Sequence, residues 1–397
     1  MHWTTAVSRD PQFDQALDAV SRQVITDLDG EPDLVFVFIT DHYRDHFDEL
    51  PARLGEKLGP GTLFGCSASG VIGSHQEIEF QPSVTLTAAR LPGARWDAWH
   101  IEAEALAPGT EHSLKCAAWA ESLGDEPAQF IILADPFTFP SEQLLRSLET
   151  GFPSAVIAGG LASGTRGPGD TALFLDQSIQ HSGALILALG GSLEMSTAVA
   201  QGCRPIGQPM FVTACEGGLI LELDGQPPLP QLNVLYEQSN ERDQALMQQS
   251  LFLGLAMHPQ ETRHTRGDYL IRNLLGADQQ RGSIQVSAEL HPQQVVQFHL
   301  RDASTSKEDL ALVLDKTRKG FDENPPLGAL LFSCTGRGEG LYGVPGHDSE
   351  AFHQVLGDTT PLGGFFCNGE IGPVAGKTFL HGYTSAFALF SKPRARD

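Results

Sequence analysis

The stretch Leu34-Val-Phe-Val-Phe-Ile39 is a continuous apolar run of strand length. Such a run is typical of a strand that is buried on both faces of a parallel sheet. A helical segment follows it, and its apolar positions are Phe47, Leu50, Leu54 and Leu58. The chain then enters a short strand, Thr62-Leu-Phe64, and a stretch of small residues, Gly65-Cys-Ser-Ala-Ser-Gly70. This order predicts a strand–helix–strand unit that ends in a loop.

The same unit recurs twice along the chain. The second copy begins with Gln129-Phe-Ile-Ile-Leu133 and ends in the loop Ala158-Gly-Gly-Leu-Ala-Ser-Gly164. The third begins with Gly328-Ala-Leu-Leu-Phe332 and ends in Cys367-Asn-Gly-Glu-Ile-Gly372. If the strands of each pair are parallel with a right-handed crossover, their loops leave the carboxyl edge of a sheet, where ligands bind in open α/β folds. We therefore predict an α/β fold of repeated strand–helix–strand units with mixed sheets.

The remaining segments predict how the chain divides. Asp10 and Pro11 are suited to begin a helix, so we expect an N-terminal helix within residues 1–30. Antiparallel strands are expected between the repeated units. The turn-rich stretch Leu223-Asp-Gly-Gln-Pro-Pro-Leu-Pro230 is the strongest break in the pattern. The sequence thus predicts two domains after the helix, over residues 31–226 and 227–397.

Composition excludes several classes of protein. The 397 residues include 26 Lys and Arg against 49 Asp and Glu, a formal net charge of -23. This charge repels phosphate backbones and anionic lipid, so we expect neither a nucleic-acid partner nor membrane insertion. No signal peptide is visible, and the apolar runs are too short to span a bilayer. The 6 cysteines form no C-x-x-C pair and the 14 histidines are scattered, so we expect a cytoplasmic protein without a zinc site.

Several motifs resemble a known family. Near the C-terminus these are Phe332-Ser-Cys-Thr-Gly-Arg-Gly-Glu-Gly340, Gly363-Gly-Phe-Phe-Cys-Asn-Gly-Glu-Ile-Gly-Pro373 and Phe379-Leu-His-Gly-Tyr-Thr384. They resemble the C-terminal domain of FIST proteins (F-box and intracellular signal transduction). Three further stretches resemble the companion FIST N domain: Gly65–Gly70, Ala158-Gly-Gly160 and Gln201-Gly-Cys-Arg-Pro-Ile-Gly207. No F-box is seen before this region.

The resemblance implies a sensor that binds a small ligand, such as an amino acid, in signal transduction. Since no kinase, cyclase or receptor domain is seen after the FIST region, such a sensor would act on a separate protein, such as a histidine kinase or a cyclic-di-GMP enzyme. Some bacterial FIST proteins bind haem and sense nitric oxide, so a haem-dependent gas sensor is an alternative. A homodimer is compatible with either reading.

The loop Thr335-Gly-Arg-Gly338 contains the first candidate ligand-binding residue, Arg337. A planar guanidinium suits a carboxylate or phosphate, and Glu370 suits a ligand amine, so the two would hold a zwitterionic amino acid. In the alternative reading, Arg337 pairs with a nearby acid such as Glu370 and ties the loop down. Asn368 either orients the ligand or caps its own turn.

The other candidates follow strands of the repeated units or lie in the C-terminal motif. They are Gly65, Cys66, Ser67, Asp135, Gly159, Gly160, Cys334, Cys367, Gly369 and His381. A cysteine thiolate assisted by His381 would make the protein an enzyme, but cysteine is also a common small buried residue, so we expect no catalysis. Asp135 either recognises a ligand amine or forms an Asx turn. It follows the first strand of repeat 2, as Asp41 follows the first strand of repeat 1.

Overall fold

The computed structural model describes residues 1–107, 109–124, 126–258, 264, 266–321 and 326–393. These residues form two compact units. The first comprises the described parts of Met1–Val199, Leu310–Leu380 and Thr384–Asp397, and the second comprises Ala200–Asp309 with His381–Tyr383. The described residues include no helix that is both long and apolar enough to cross a membrane.

Repeat 1 begins the first unit. Its elements are β1 (His2–Ser8), α1 (Phe13–Leu28), β2 (Leu34–Thr40), a 3-10 helix (Asp41–Glu49), α2 (Leu50–Leu58), β3 (Thr62–Ala68), β4 (Gly70–Gly73), β5 (Gln76–Glu79) and β6 (Val84–Arg90). Strands β2 and β3 are parallel, as predicted, and β6 lies antiparallel to β2. The apolar side of α1 is buried, at Phe13, Leu17, Val20, Val24 and Leu28. A helix is therefore confirmed within residues 1–30, but a strand precedes it.

Repeat 2 has the same order of elements. They are β7 (Ala94–Ile101), a 3-10 helix (Ala103–Leu106), α3 (Glu111–Leu123), β8 (Gln129–Ala134), α4 (Ser141–Gly151), β9 (Val156–Leu161), β10 (Leu173–Leu175), β11 (Ser178–Gln180) and β12 (Ala184–Gly191). Strands β8 and β9 are parallel, and β12 is antiparallel to both β8 and β7. Repeat 2 thus matches repeat 1 strand for strand.

Repeat 3 is split along the chain by the second unit. It starts with β13 (Glu194–Gln201), and the chain then passes through β14 (Cys203–Glu216), β15 (Leu219–Leu223), α5 (Pro228–Gln238), α6 (Glu241–Gln249), β16 (Leu251–Ala256), β17 (Tyr269–Asp278), β18 (Ser283–Val286) and β19 (Val295–Arg301). Repeat 3 resumes with α7 (Ala303–Gly320), β20 (Gly328–Cys334), α8 (Gly338–Tyr342), α9 (His347–Leu356), β21 (Leu362–Cys367), β22 (Glu370–Val374), β23 (Lys377–His381) and β24 (Thr384–Ser391). Strands β20 and β21 are parallel.

The second unit is a closed barrel with the strand order β14-β15-β18-β17-β16-β19. Its core includes Val212, Leu253, Ile284, Val296 and Phe298. The two ends of the barrel segment meet, because Cys203 is paired with Arg301 across β14 and β19. The segment is therefore an insertion between the first strand of repeat 3 and α7. The predicted break at 223–230 falls between β15 and α5, inside this unit.

The three repeats are interlocked by their hairpins. Hairpin β4–β5 of repeat 1 joins the sheet of repeat 3, through β4 and β21. Hairpin β10–β11 of repeat 2 joins the sheet of repeat 1, and β22 of repeat 3 joins the sheet of repeat 2. Within the described residues each repeat therefore completes its neighbour's sheet, in a cycle. The sheet orders are β11-β10-β3-β2-β6-β1, β23-β22-β9-β8-β12-β7 and β5-β4-β21-β20-β24-β13.

A glycine at one equivalent place lets each parallel pair form. Gly65, Gly159 and Gly364 face Val37, Ile132 and Leu331 of the neighbouring strand. A Cβ atom at any of them would lie 1.9 Å from the facing carbonyl oxygen. The small residues after Phe64 and Ile157 therefore continue β3 and β9 instead of forming loops. The predictions that the loops start at Gly65 and Ala158 were wrong.

Candidate functional site

Strand pairing defines which residues of the three repeats are equivalent. The residues opposite Gly65, Gly159 and Gly364 on the incoming hairpins are Phe174, Ile371 and Ile72. The residue before each of these is Leu173, Glu370 or Val71. In the same way Thr40 faces Ala68 in repeat 1, and Cys334 faces Cys367 in repeat 3. In repeat 2 the pair before this one is Ala134 with Leu161, so the next residue, Asp135, takes the place of Thr40 and Cys334. Thr40, rather than Asp41, is thus the equivalent of Asp135.

Repeat 3 carries polar or thiol side chains where repeats 1 and 2 carry mostly apolar ones. In each comparison the repeat 3 residue is given first, followed by its equivalents in repeats 1 and 2. Glu370 stands in place of Val71 and Leu173, and Cys367 in place of Ala68 and Ala162. Ser333 stands in place of Ile39 and Ala134, and Ser385 in place of Val84 and Ala184. All of the repeat 3 members are buried. We call Glu77, Ser333, Cys334, Arg337, Tyr342, Asp348, Cys367, Glu370, Thr384 and Ser385 the third-repeat cluster.

Glu370 is fully buried at the start of β22. Its Oε2 accepts hydrogen bonds from the Thr384 backbone N–H at 3.0 Å and from the Thr384 hydroxyl at 2.8 Å. The thiol of Cys367 lies 3.7 Å from Oε1. Burial raises the pKa of Glu370 to about 8, although the Thr384 hydrogen bonds oppose this. The carboxyl group is therefore mostly protonated at neutral pH.

Arg337 is also buried, and it pairs with Asp348 of α9 rather than with Glu370. Its Nε and Nη2 donate to the two carboxylate oxygens at 2.7 and 3.0 Å. Nη2 also donates to the Tyr342 hydroxyl at 2.5 Å. Burial alone would raise the pKa of Asp348, but the guanidinium holds it well below its usual range. Arg337, predicted either to clamp a ligand or to pair with a nearby acid, thus forms a buried bidentate ion pair with Asp348.

Glu77 reaches the cluster from hairpin β4–β5 of repeat 1. Its Oε1 accepts from the Ser349 backbone N–H at 2.6 Å and from the Ser349 hydroxyl at 3.0 Å, in the first turn of α9. Burial, and then the negative charge of Asp348, raise the pKa of Glu77 to about 7. The equivalent residue in hairpin β10–β11 is Ile179, which packs against a hydrophobic core.

Three polar atoms of the cluster have no hydrogen-bond partner. They are Nη1 of Arg337, Oε2 of Glu77 and Oγ of Ser333, and all three are buried. Buried polar groups in native proteins almost always have a partner, so each unpaired atom needs an explanation. A bound polar molecule would supply the missing donors and acceptors. The cluster therefore has the composition and the unused hydrogen-bonding capacity of a small-ligand site.

The Cys367 thiol of the cluster and the Cys66 thiol of repeat 1 are protonated at neutral pH. Burial raises the pKa of Cys66 and of Cys367 well above the ordinary value. Cys367 donates to the Ser333 carbonyl oxygen at 3.2 Å, and Cys334 accepts from the Gly336 N–H at 3.4 Å. A protonated thiol is a poor nucleophile. In the part of the chain that the structure describes, no three His, Cys, Asp or Glu side chains are placed to hold a metal ion.

The other predicted residues serve the interlock between repeats. Asn368 is exposed, and its side-chain amide donates to the Ala162 carbonyl oxygen at 3.1 Å. Gly369 accepts from the Leu161 N–H, and Ser67 accepts from the Ala172 N–H. A Cβ at Gly160 would lie 3.0 Å from the Cβ of Cys367. Close approach between strands thus accounts for these residues.

Asp135 and His381 lie in other surroundings. Asp135 is fully buried and accepts hydrogen bonds from the Thr138 N–H at 2.8 Å and from the Thr171 hydroxyl at 2.6 Å. The bond from Thr138 closes a local turn, which was one of the two expected roles, whereas the bond from Thr171 joins Asp135 to a distant part of the chain. His381 is buried and belongs to the second compact unit.

Sequence reasoning did not find Glu77, Tyr342, Asp348, Thr384 or Ser385. Glu77 comes from a different repeat, and only the hairpin exchange brings it to repeat 3. Asp348 does carry a local signal, since an acid in the first turn of a helix that follows an Arg-containing loop is a candidate partner for that Arg. A residue-by-residue alignment of the three repeats would have pointed to Ser385 as a candidate, because its equivalents, Val84 and Ala184, are apolar.

Comparison with known proteins gives the following matches. A model described as the FIST N domain matches residues 33–226, and one described as the FIST C domain matches residues 232–373. The uncharacterized protein Rv0628c of Mycobacterium tuberculosis is 36% identical over 371 residues, which cover 91% of this chain and 92% of the relative. The uncharacterized protein Mb0898c of Mycobacterium bovis is 34% identical over 383 residues, 96% of each chain.

Proposed function

This chain belongs to the FIST family, whose domains are associated with sensing in signal transduction, and on that premise we propose that it senses a small polar ligand at the third-repeat cluster. The observation that carries the proposal is the asymmetry between repeats. The same fold is built in repeats 1 and 2 with Val71 and Leu173 at the position of Glu370. A buried acid at this position is therefore not needed for folding, and ligand binding explains why repeat 3 has one there.

The unpaired atoms support the same proposal. Arg337 Nη1 is a donor, Glu77 Oε2 is an acceptor when ionised, and Ser333 Oγ serves as either. A small molecule with both donors and acceptors, such as an amino acid, carries the kinds of hydrogen-bonding group that these atoms lack. The signal would then pass to a separate protein, for which a histidine kinase or a cyclic-di-GMP enzyme remains our proposal.

An enzyme is the weaker reading of this site. FIST is a family of sensor domains. A cysteine nucleophile needs a lowered pKa, whereas burial raises the pKa of the Cys367 thiol. The buried Cys367 thiol is therefore a poor candidate for a nucleophile.

Haem does not fit the third-repeat cluster. A haem needs an axial His, Cys, Met or Tyr beside a largely apolar slot. The cluster is instead dense in charged and hydroxyl groups, and the pKa of its Cys367 thiol is raised. A haem site elsewhere in the chain stays a prediction, tested by the ultraviolet–visible spectrum of the protein after haem titration.

The proposed function is tested by measuring ligand binding to paired variants. The wild type is screened by thermal shift against free amino acids and their derivatives, and hits are measured by calorimetry. We expect Glu370→Val to abolish binding. The matched control, Leu173→Val, changes the equivalent position of repeat 2 and should bind as the wild type does. Equal binding by wild type and Glu370→Val would overturn the proposal.

A further inference from the structure

We infer that Cys334 and Cys367 form a peroxide-sensitive dithiol, which closes to a disulfide while Glu370 moves the proton. The two cysteines face each other at the ends of the parallel strands β20 and β21. This redox chemistry lies beyond ligand sensing and does not depend on which ligand binds. It gives the third-repeat cluster a second input, the oxidation state of two sulfur atoms.

The register of β20 and β21 brings the two cysteines together. Facing residues of a parallel pair point to the same side of the sheet, and neighbouring strands lie about 4.8 Å apart. A disulfide spans Cα atoms about 4.4–6.8 Å apart. The Cys367 thiol also reaches across to β20, because it donates to the carbonyl oxygen of Ser333, the residue before Cys334, at 3.2 Å. Both cysteines are free thiols. The backbone spacing therefore allows a Cys334–Cys367 disulfide.

The two thiols share the carboxyl group of Glu370. Cys367 Sγ lies 3.7 Å from Glu370 Oε1, and the Cys334 thiol also hydrogen-bonds this carboxyl group. The other oxygen, Oε2, accepts two hydrogen bonds from Thr384. Oε1 is therefore the oxygen that carries the proton when the group is neutral, and it lies next to the thiol that has to lose one.

Cys334 is the cysteine that an oxidant reaches first. It is 7% exposed and comes directly before the exposed Thr335, whereas Cys367 is fully buried. The Gly336 N–H donates to its sulfur at 3.4 Å, and the positive charge of Arg337 acts on it. Both interactions favour a thiolate, the form that attacks an oxidant. An opening this small admits hydrogen peroxide in preference to a larger disulfide.

The reaction has two balanced steps. In the first, the Cys334 sulfur bonds to one peroxide oxygen as the O–O bond breaks, and the leaving hydroxide takes the proton lost by Cys334 and becomes water. The sulfur gives two electrons to peroxide and becomes a sulfenic acid. In the second, the Cys367 sulfur attacks the sulfenic sulfur, so that the S–S bond forms and the S–O bond breaks. Because burial holds the Cys367 proton, Glu370 Oε1 takes it and gives its own to the departing hydroxide, which leaves as water.

The other two repeats serve as internal controls. The residues equivalent to Cys334, Cys367 and Glu370 lack this combination of side chains. They are Thr40, Ala68 and Val71 in repeat 1, and Asp135, Ala162 and Leu173 in repeat 2. The same backbone therefore forms without two thiols and a shared acid, and repeat 3 has all three at one place.

The test treats the reduced, ligand-free chain with hydrogen peroxide, alkylates the remaining thiols and maps disulfides by mass spectrometry. We expect a Cys334–Cys367 linkage that lowers the mass by two hydrogen atoms per chain and that dithiothreitol reverses. It should form before Cys116 or Cys215 reacts, although both are more exposed. Oxidation of Cys116 or Cys215 with the pair still reduced, or a linkage to Cys66, would overturn the inference.

Variants separate the two steps. Cys367→Ala, which copies the alanine of repeats 1 and 2, should stop at a Cys334 sulfenic acid that dimedone traps. Its matched control, Cys66→Ala, removes another buried thiol and should still form the disulfide. If Cys367→Ala gives no dimedone adduct on Cys334, the proposed order of the steps is wrong.

The role of Glu370 has its own variant. Glu370→Gln should consume peroxide at the wild-type rate but close the disulfide about a hundredfold more slowly, because it cannot move the proton. Closure as fast as in the wild type would overturn the role of Glu370. Every arm is run without ligand, so failure of the disulfide leaves the proposed function standing, and failure of ligand binding leaves the disulfide standing. Circular dichroism of each variant shows that a lost reaction is not a lost fold.

Discussion

The Arg337–Asp348 pair shows how one residue's role depended on a partner that the sequence did not reveal. Asp348 also accepts a hydrogen bond from the Ser385 hydroxyl, so the pair ties α9 to β24. Its two members are fully buried. Removing one charge from such a pair leaves the other uncompensated, which is more destabilising than the pair itself is stabilising.

Replacing Asp348 with Asn should therefore lower the free energy of unfolding by about 3–5 kcal/mol. Urea denaturation at pH 7 measures this. Glu350→Gln is the control, because Glu350 is exposed on the same helix, and it should change stability by less than about 0.5 kcal/mol. A loss below about 1 kcal/mol in Asp348→Asn would contradict the buried charge pair.

The raised pKa values of Glu77 and Glu370 predict how stability depends on pH. Between the ordinary value of 4.5 and the folded values of about 7 and about 8, the folded state binds more protons than the unfolded state. Stability without ligand should therefore fall as pH rises from 5 to 8. Asp348 acts oppositely, since its lowered pKa contributes stability that is lost only in acid below its ordinary value of 3.8.

Urea titrations of the wild type and of Glu370→Val over pH 5–8 check this dependence. The variant lacks one of the two raised groups, so its slope should be shallower. Parallel slopes for the two proteins would show that Glu370 does not titrate in this range.

At the scale of the element, the glycines of β3, β9 and β21 allow each parallel pair to form. A methyl group at Gly159 would overlap the Ile132 carbonyl oxygen, and φ there is +151°. Gly159→Ala should therefore cost at least about 3 kcal/mol of stability. Gly167→Ala, where the added Cβ meets nothing within 4 Å, is the control. Thermal denaturation compares them, and equal midpoints would contradict the close-packed interlock.

The strand–helix–strand units and their parallel pairing were predictable, because apolar runs and helical periodicity are local signals. The pairing of β2 with β3, of β8 with β9 and of β20 with β21 confirms them. Strand β1 was not predicted: it pairs with β6, and that pairing joins residues far apart in sequence. The hairpin exchange is equally non-local, so Glu77 could not be assigned to the site of repeat 3.

At the scale of the whole chain, the barrel is an insertion whose ends are paired, so each unit should fold by itself. Cys203 faces Arg301, and the Asp302 N–H donates to the Gly202 carbonyl oxygen. Replacing residues 203–301 with a short Gly/Ser linker should leave a cooperatively folding protein, because a short loop adds little closure entropy. Calorimetry tests this. An unfolded product, with the full chain as control, would show that the repeats need the barrel.

The central claim is that the third-repeat cluster serves ligand binding and is not required for folding. Repeat 1 shows how the same place folds without an acid, since Thr40 Oγ1 accepts from the Ser83 N–H at 3.0 Å, where repeat 3 uses Glu370 and Thr384. The combined variant Cys334→Thr, Cys367→Ala, Glu370→Val, Thr384→Ser copies that arrangement into repeat 3.

The most direct measurement is the free energy of unfolding of this variant beside those of the wild type and Glu370→Val, in urea at pH 7.5 without ligand. We predict that Glu370→Val alone loses about 1–3 kcal/mol, because it leaves the Thr384 N–H and hydroxyl without their acceptor. The combined variant should be at least as stable as the wild type and should bind no ligand. A combined variant that stays about 3 kcal/mol below the wild type would show that the cluster is structural and would contradict the account.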